Sequence, residues 1–496
     1  MQNKQEVRQS LEEGGKMKTQ CWNPYLPLAE YIPDGEPHIF QDRLYIFGSH
    51  DRENGREFCE LDYVSWSAPV DDLSDWRYEG TIYRKKQDPY NSEELPLYAP
   101  DVVQGKDGRY YLYYCIKFQD EIHVAVCDEP AGQYEFYGRV RYSNGNIMRE
   151  NQPYDPSVIC SEEGIFLYFG FAPCIVDIPK YRKQELKGGS VIQLEEDMLT
   201  VKQGPVVVIP SLAYGKGTSF EGNEYFEGPS IRKIADTYYL LYSSVNTHQL
   251  CYAMSKKPME GFVFGGVIVS NGDIGYEGRS EEDKVMSVGN NHGGLVKVKE
   301  QWYVFYHRHT SLNQYSRQGC AEKIFFDENG HIPQITITTS GMNPKPLSGN
   351  ASYPAACCCN LTTGHMGVLS SMGRYKELED FPYITSAHGE QYLTNIKEGT
   401  RIGYKYINLS ETGKVEVIYK TEDEGILEIY TDLLKKKKAE IKLQPSMWWT
   451  TAETDVYFEE TEEELYLVYQ GRGSVSLLRL NLKGKTRQIH NFSESQ

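Results

Sequence analysis

The chain lacks any apolar run approaching the roughly 18 residues of a membrane-spanning helix, which argues against a membrane-embedded function. Basic excess is also missing. Against 70 Asp and Glu stand only 52 Lys and Arg, a formal charge of −18, whereas nucleic acid or an anionic bilayer needs a basic face to bind. A neutral or weakly charged ligand fits better. Residues 1–20 are polar, with no hydrophobic core of a secretory signal, so a disordered leader on a cytoplasmic protein is expected, and Met17 is a second candidate start. The eleven cysteines are an odd set, scattered at Cys115, Cys127, Cys160, Cys174 and Cys251 and clustered at Cys357-Cys358-Cys359. Such a set reads as free thiols in a reducing compartment. Adjacent cysteines on a strand alternate faces and cannot all reach one ion, so the cluster is not read as a metal site. Amphipathic helical periodicity is nearly absent up to about residue 340.

Aromatic residues are abundant: 13% of the chain, with 39 Tyr, a bias towards β structure or towards surfaces that stack on sugars. At 496 residues the chain exceeds what one core serves, and about two domains are expected. A phrase recurs five times, opening beside Pro or Gly with an acid or His at its mouth: Asp34-Gly-Glu-Pro-His, Pro100-Asp101-Val-Val, Asp155-Pro-Ser-Val, Glu227-Gly-Pro-Ser and His292-Gly-Gly-Leu. Each leads into an aromatic run, at Leu44, Tyr110, Ile165, Tyr238 and Trp302. Hairpins copied around a ring bring their first residues together at the axis, so the repeat predicts an all-β, five-bladed propeller over 21–340. A further β run is expected at Ile335-Thr-Ile-Thr-Thr, then a turn-rich linker at 341–350. Beyond it, over 351–496, alternating segments such as Lys414-Val-Glu-Val-Ile-Tyr read as the half-buried strands of a β-sandwich. The run Lys435 to Lys438 reads as a solvated hairpin tip.

Three acids precede the strand phrase in the same way: Asp34, Asp155 and Glu227. Carboxylates crowded at one axis cannot all ionise freely, so one pKa should rise and the others stay low, supplying an acid and a base as glycoside hydrolysis requires. Each motif alone is equally a turn signal; the joint recurrence carries the argument. Trp66, Trp76 and Tyr98 are candidates for stacking on a sugar, with packing in the blades as the alternative.

The run Asn23 to Asp51, with Tyr98-Ala-Pro-Asp, Tyr154-Asp-Pro-Ser, Phe226-Glu-Gly-Pro-Ser and Asn291-His-Gly-Gly, resembles glycoside hydrolase family 43 over about residues 22–340. The resemblance implies an inverting exo-glycosidase that removes α-L-arabinofuranosyl or β-D-xylosyl units from plant-derived oligosaccharides. It implies Asp34 as general base, Asp155 as the acid that tunes and orients, and Glu227 as general acid. Many members place the base directly before Pro, which leaves Glu36 as a rival; Asp34 is favoured because ungapped alignment puts it in register. Asp101 is a second rival, or a substrate contact or structural residue. His248 and Arg317 fall where members place sugar-contacting groups, with surface residues as the alternative, and Tyr98 is a further candidate substrate contact. His292 resembles the family's axial His beside a calcium or sodium ion, with a hydrogen-bonded channel histidine as the alternative; no cofactor is expected in the chemistry. The C-terminal segment resembles a family 6 carbohydrate-binding sandwich, with Trp448-Trp449 as a candidate sugar platform; strand alternation turns one of the pair inward and leaves the other to carry sugar or to cap the sandwich, and a buttress for the catalytic domain is the preferred reading. The partner is an oligosaccharide, and oligomeric state is not readable. Two rivals are a non-catalytic sugar-binding protein on a degenerate propeller and a propeller glycosidase of other specificity; a fructan-type hydrolase is disfavoured because Asn-Asp-Pro-Asn-Gly is absent.

Overall fold

A computed structural model describes residues 18, 20–173, 186–364, 366 and 381–485. Five antiparallel sheets follow one another as meanders. The first is Glu36–Phe40, Arg43–Phe47, Tyr63–Pro69 and Arg77–Tyr83, and the second Leu97–Gln104, Tyr110–Ile116, Ile122–Cys127 and Glu135–Arg139. The third is Ser157–Ser161, Gly164–Phe169, Gly188–Leu194 and Val201–Pro210; the fourth is Tyr225–Ile234, Thr237–Ser244, Leu250–Ser255 and Val263–Val269. The fifth has three strands, Leu295–Val298, Gln301–His309 and Arg317–Ile324. They are the five blades of a propeller, and each recurrent phrase opens or forms the first strand of its blade.

The aromatic runs are the second strands, and the reason is burial on both faces. In Tyr110–Ile116 every residue is buried. Tyr110, Leu112 and Tyr114 pack in a cluster with Tyr45 and Phe47 of blade 1, while Tyr111 and Tyr113 pack with Ile165 and Leu167 of blade 3. The period-2 alternation of a strand thus feeds two inter-blade cores at once. The ring closes between blades 5 and 1, where Gly35 bridges Gly293 and the chain before blade 1 runs beside Arg317–Ile324, Tyr25 N–H donating to Gly319 O.

The C-terminal segment forms two stacked sheets. One contains Tyr383–Ala387, Glu390–Ile396, Val475–Gly484, Thr412–Thr421 and, at its edge, Ser446–Asp455; the other contains Asn360–Thr362, Arg401–Lys405, Glu464–Gly471, Gly425–Thr431 and Lys436–Leu443. Its core does not stand apart. One hydrophobic cluster runs from Leu241 and Val304 of blades 4 and 5 through Ile332, Ile337 and Leu347 to Leu393, Val417 and Leu467 of the sandwich. Two buried polar ties cross the same seam: Lys405 Nζ meets Asp273 Oδ2 at 3.2 Å, and Arg308 donates to the carbonyls of Cys358 (2.7 Å) and Ala356 (2.6 Å).

Several sequence expectations change here. The run Ile335 to Thr339 is extended but forms no ladder, because Ile337 N–H donates to Asp273 Oδ1 and Thr338 N–H to Glu322 Oε1. The turn-rich stretch 341–350 is pinned: Leu347–Ser348 pairs in parallel with Ile407–Asn408, and Met342 and Leu347 are buried. In the expected leader, residues 1–17 and 19 lie outside the described residues, but Lys18 Nζ donates to the carbonyls of Trp22, Pro24, Tyr25 and Leu26, and Gln20 Nε2 to Tyr353. Neither Trp448 nor Trp449 points inward. They are 83% and 38% exposed on an edge strand whose pairing slips between Tyr419 and Thr421. Trp66 and Trp76 are buried in blade 1. Lys435 lies in the hairpin turn, but Lys436, Lys437 and Lys438 are in the strand, and Lys438 pairs with Glu462. Ten cysteines are free among the described residues, the 357–359 cluster buried; Cys174 lies outside them. Among the described residues no helix is long and apolar enough to cross a membrane.

Candidate active site

At the axial mouth of the blades the backbone turns sharply into the first strands. Asp34 and Asp155 take left-handed conformations, φ 56° and 52°, which aspartate tolerates better than most residues, and in blade 4 the residue after Glu227, Gly228, does the same at φ 65°. A Cβ on Gly228 would also lie 2.9 Å from the His292 ring, so the glycine of Glu-Gly-Pro lets the histidine of blade 5 pack against the acid's backbone. The result is one cavity of about 220 Å³ with Asp34, Asp155, Glu227, His292 and Arg317 among its walls.

The three carboxyl groups sit in different surroundings. Burial pushes Asp34 up, but the charges of Arg317 and His292 outweigh it and hold the group at about 2; Arg317 Nη1 is 3.1 Å from Asp34 Oδ1. Arg317 is itself fixed by Asp51, through Nε (2.9 Å) and Nη2 (3.0 Å). Asp34 N–H donates to His307 Nδ1 at 3.2 Å while His307 Nε2 donates to Asn290 O at 2.8 Å, so His307 is neutral, in line with the lowering that burial imposes on it. Glu227 goes the other way. Burial, then the charges of Asp155 and Asp34, raise it to about 8. Asp155 is raised to about 6, chiefly by burial, although it accepts a hydrogen bond from Gly228 N–H.

Of the rival acids, Glu36 lies behind the cavity. It is buried, with Oε2 taken by Arg232 Nη2 (2.8 Å) and Ser230 Oγ (3.0 Å). Asp101, like Trp66 and Trp76, is a candidate substrate contact that the structure does not bring to the cavity. Its Oδ1 accepts from His38 Nε2 (2.7 Å) and Val102 N–H, and its Oδ2 from Val158 N–H (2.8 Å) and Ser157 Oγ. Ser157 Oγ accepts in turn from Ile231 N–H, Ser230 donates to Glu36, and Arg232 donates to Leu295 O. Asp101 is therefore a link in a polar girdle joining the first strands of all five blades.

His292 bridges the two levels, Nδ1 4.0 Å from Asp34 Oδ1 and Nε2 3.6 Å from Glu36 Oε1. Burial lowers its pKa, but Glu36, Asp34 and Asp155 outweigh that and raise it to about 9. Glu36, His38 and Asp101 present ligand atoms within 4.8 Å of one another, and of their carboxylate oxygens only Glu36 Oε1, ion-paired with His292, makes no hydrogen bond. Calcium takes six to eight oxygens. An ion beside His292 would therefore have to draw most of its ligands from carbonyls and waters, while the acids around the ring equally hold it as a charged histidine in the channel.

Much of the cavity wall comes from one structural position, the connection from the second to the third strand of each blade, up to the first residue of the third strand. Blade 1 supplies Phe58, blade 2 Lys117 and Phe118, blade 3 Phe171, blade 4 His248 and blade 5 Gln314 with Arg317. Tyr98, Tyr154, Phe226 and Asn290 complete the wall. His248 packs edge-on against Phe226 (4.6 Å), and burial lowers its pKa to about 4, so the ring is a neutral hydrogen-bonding group. Sequence reasoning found Tyr98, His248, His292 and Arg317 but missed Phe58, Phe118, Phe171, Asn290, His307 and Asp51; the signal for most of them was distance past each aromatic run.

The profile of glycosyl hydrolases family 43 matches residues 41–332, a span that starts after Asp34. A xylosidase/arabinosidase of Thermoclostridium stercorarium is 45% identical over 477 residues, covering 94% of this chain and 99% of its own. A xylosidase/arabinosidase of Bacteroides ovatus is 29% identical over 319 residues, 59% of this chain and 89% of its own. Among solved structures, the GH43_1 enzyme of Xanthomonas citri complexed with xylose has a TM-score of 0.50 at 23% identity over 67% of this chain and 96% of its own, a likeness that bears on the fold. With the profile matched across most of the propeller and a relative aligned along nearly the whole chain, this protein belongs to glycosyl hydrolases family 43 and is a glycoside hydrolase.

Proposed function

We propose that the protein is an inverting, exo-acting glycosidase that releases xylosyl or arabinofuranosyl units from short plant-derived oligosaccharides. One observation carries the mechanism: two carboxyl groups of a single cavity are displaced in opposite directions, Asp34 to about 2 and Glu227 to about 8. Near pH 7 Glu227 holds its proton and gives it to the glycosidic oxygen as that bond breaks, so the remaining sugar leaves as a neutral alcohol. Asp34, ionised beside Arg317, takes a proton from the water that attacks the anomeric carbon from the opposite face. Asp155 acts on Glu227 through like-charge repulsion and does not exchange a proton with substrate. No step needs a metal ion. Substrate class rests on the relative of 45% identity, named a xylosidase/arabinosidase. The exo mode rests on the cavity, whose volume of about 220 Å³ falls below the roughly 300–1,000 Å³ of sites for larger ligands and suits one sugar unit.

For the C-terminal sandwich, with its resemblance to a family 6 carbohydrate-binding module, the reading is a buttress. The shared apolar cluster and the ties through Arg308 and Lys405 support it. The mechanism is tested by proton NMR of the first product released: the anomer opposite to the substrate's is expected, and initial release of the retained anomer would overturn single displacement.

A further inference from the structure

Phe118 is placed at a double cost. The chain reverses over Ile116 to Gln119, with Gln119 N–H donating to Ile116 O at 3.0 Å, and Phe118 is the third residue of that turn, at φ 66°. A positive φ there is the mark of a type II turn, whose third position glycine or asparagine fills without strain and phenylalanine does not. The ring is also 69% exposed, whereas Phe58, Tyr98, Phe171 and Phe226 in the same wall are half-buried. Neither backbone conformation nor apolar burial is served by a phenylalanine at this position. The ring is nevertheless held in place: Lys117 N–H donates to Pro96 O, and Lys117 Nζ, paired with Glu57, lies 4.9 Å from the ring centre. Because Ile116 pairs with Leu97 at the start of blade 2's first strand, the turn stands beside Tyr98 at the cavity mouth.

We propose that Phe118 is the stacking platform for the sugar unit on the leaving-group side of the broken bond, and so selects oligosaccharides over simple glycosides. The inference rests on the exo-glycosidase reading above. In a cavity that takes one sugar unit at its closed end, the unit beyond the scissile bond lies at the mouth, where the apolar face of a pyranose or furanose meets an exposed ring. The same stacking is of no use to a methyl leaving group, which does not extend to the ring.

The test is Phe118→Gly, which removes the ring and relieves the backbone, together with Phe118→Trp, which keeps an aromatic face. For each variant and the wild type, kcat/KM is measured on xylobiose and on methyl β-xyloside, or on arabinobiose and methyl α-arabinofuranoside if the wild type prefers arabinosides, and the melting temperature is recorded. The expected result is that the ratio of disaccharide to methyl glycoside falls roughly 3- to 10-fold in Phe118→Gly, recovers in Phe118→Trp, and is accompanied by an unchanged or higher Tm in Phe118→Gly. An unchanged ratio, or equal losses on both substrates with a lower Tm, would overturn the inference and make Phe118 a structural residue. A wild type that cleaves neither pair would instead refute the exo-glycosidase reading, and the inference with it.

Discussion

Charged residues are arranged in opposite ways at the propeller axis and on the sandwich. At the axis Asp34, Glu36, His292 and Arg317 are all buried and compensate one another at 2.8–4.0 Å with Arg232 and Asp51. On the sandwich the charges form exposed rungs, Lys414 and Lys483 on Glu453, and Lys437 on Glu428 and Glu440. Water screens the rungs, so each contributes little. Where water is excluded the same groups move one another's proton affinities far apart, and only there can two carboxyl groups of one kind take different roles. The backbone does not follow the same division: Asp34, Asp155, Phe118 and His248 line the cavity in left-handed conformations, but Asp432, Leu433 and Leu434 adopt them at a hairpin turn of the sandwich.

Neutralising the axial acids should have the largest effect. Asp34→Asn should lower kcat by about 10³-fold or more on every substrate. Glu227→Gln should lower it about 10²- to 10⁴-fold on disaccharides but far less on activated aryl glycosides, which leave without a proton. Equal losses on both substrate types would deny Glu227 the acid role, and a fully active Asp34→Asn with an inactive Glu36→Gln would move the base. Next in size is the buried tie at the seam. Lys405→Met strands Asp273 without its counter-charge and should cost about 3–5 kcal/mol, read as a large fall in Tm. Trp448→Ala, at an 83% exposed ring, should change stability by no more than about 0.5 kcal/mol. If the face around Trp448 and Trp449 is more than a buttress surface, full-length protein will be retarded by xylan or arabinan in affinity electrophoresis, and changing both residues to Ala will abolish the retardation. Smallest of all, Glu453→Gln in the exposed ladder should leave Tm within measurement scatter.

Much of the propeller was legible because its constraint is local and repeated. A second strand buried on both faces must be apolar throughout, and the residue entering a first strand must tolerate a sharp turn; both leave marks in the sequence at every blade. Asp34, Asp155 and Glu227 were found that way, and the structure brings all three to one cavity. Asp101 was ambiguous because its mouth motif looks like theirs, while its four hydrogen bonds come from blades 1, 2 and 3 and have no signature in its own segment. Phe118 was invisible for another reason: no propensity rule places phenylalanine at a left-handed position. In the second domain, alternation in Thr412–Thr421 announced a half-buried strand, but the fate of Trp448 and Trp449 depended on a register slip that period-2 reasoning cannot foresee. The extended run 335–339 has strand composition, yet its hydrogen bonds go to the side chains of Asp273 and Glu322.

Burial, and then the like charges of Asp155 and Asp34, keep Glu227 protonated at neutral pH. Carboxyl ¹³C NMR titration of Glu-labelled protein tests it without relying on turnover. Among the described residues two glutamates are raised to about 8, Glu227 at the cavity and Glu322 in the seam between propeller and sandwich, where burial dominates and Thr338 and Tyr306 hydrogen-bond it. The account predicts two resonances titrating near pH 8. One should vanish in Glu227→Gln and move to lower pH in Asp155→Asn, because removing the neighbouring carboxylate removes the repulsion that opposes ionisation; the Glu322 resonance should stay where it is in both variants. A Glu227 resonance titrating near pH 4.5, or one indifferent to Asp155→Asn, would contradict the account.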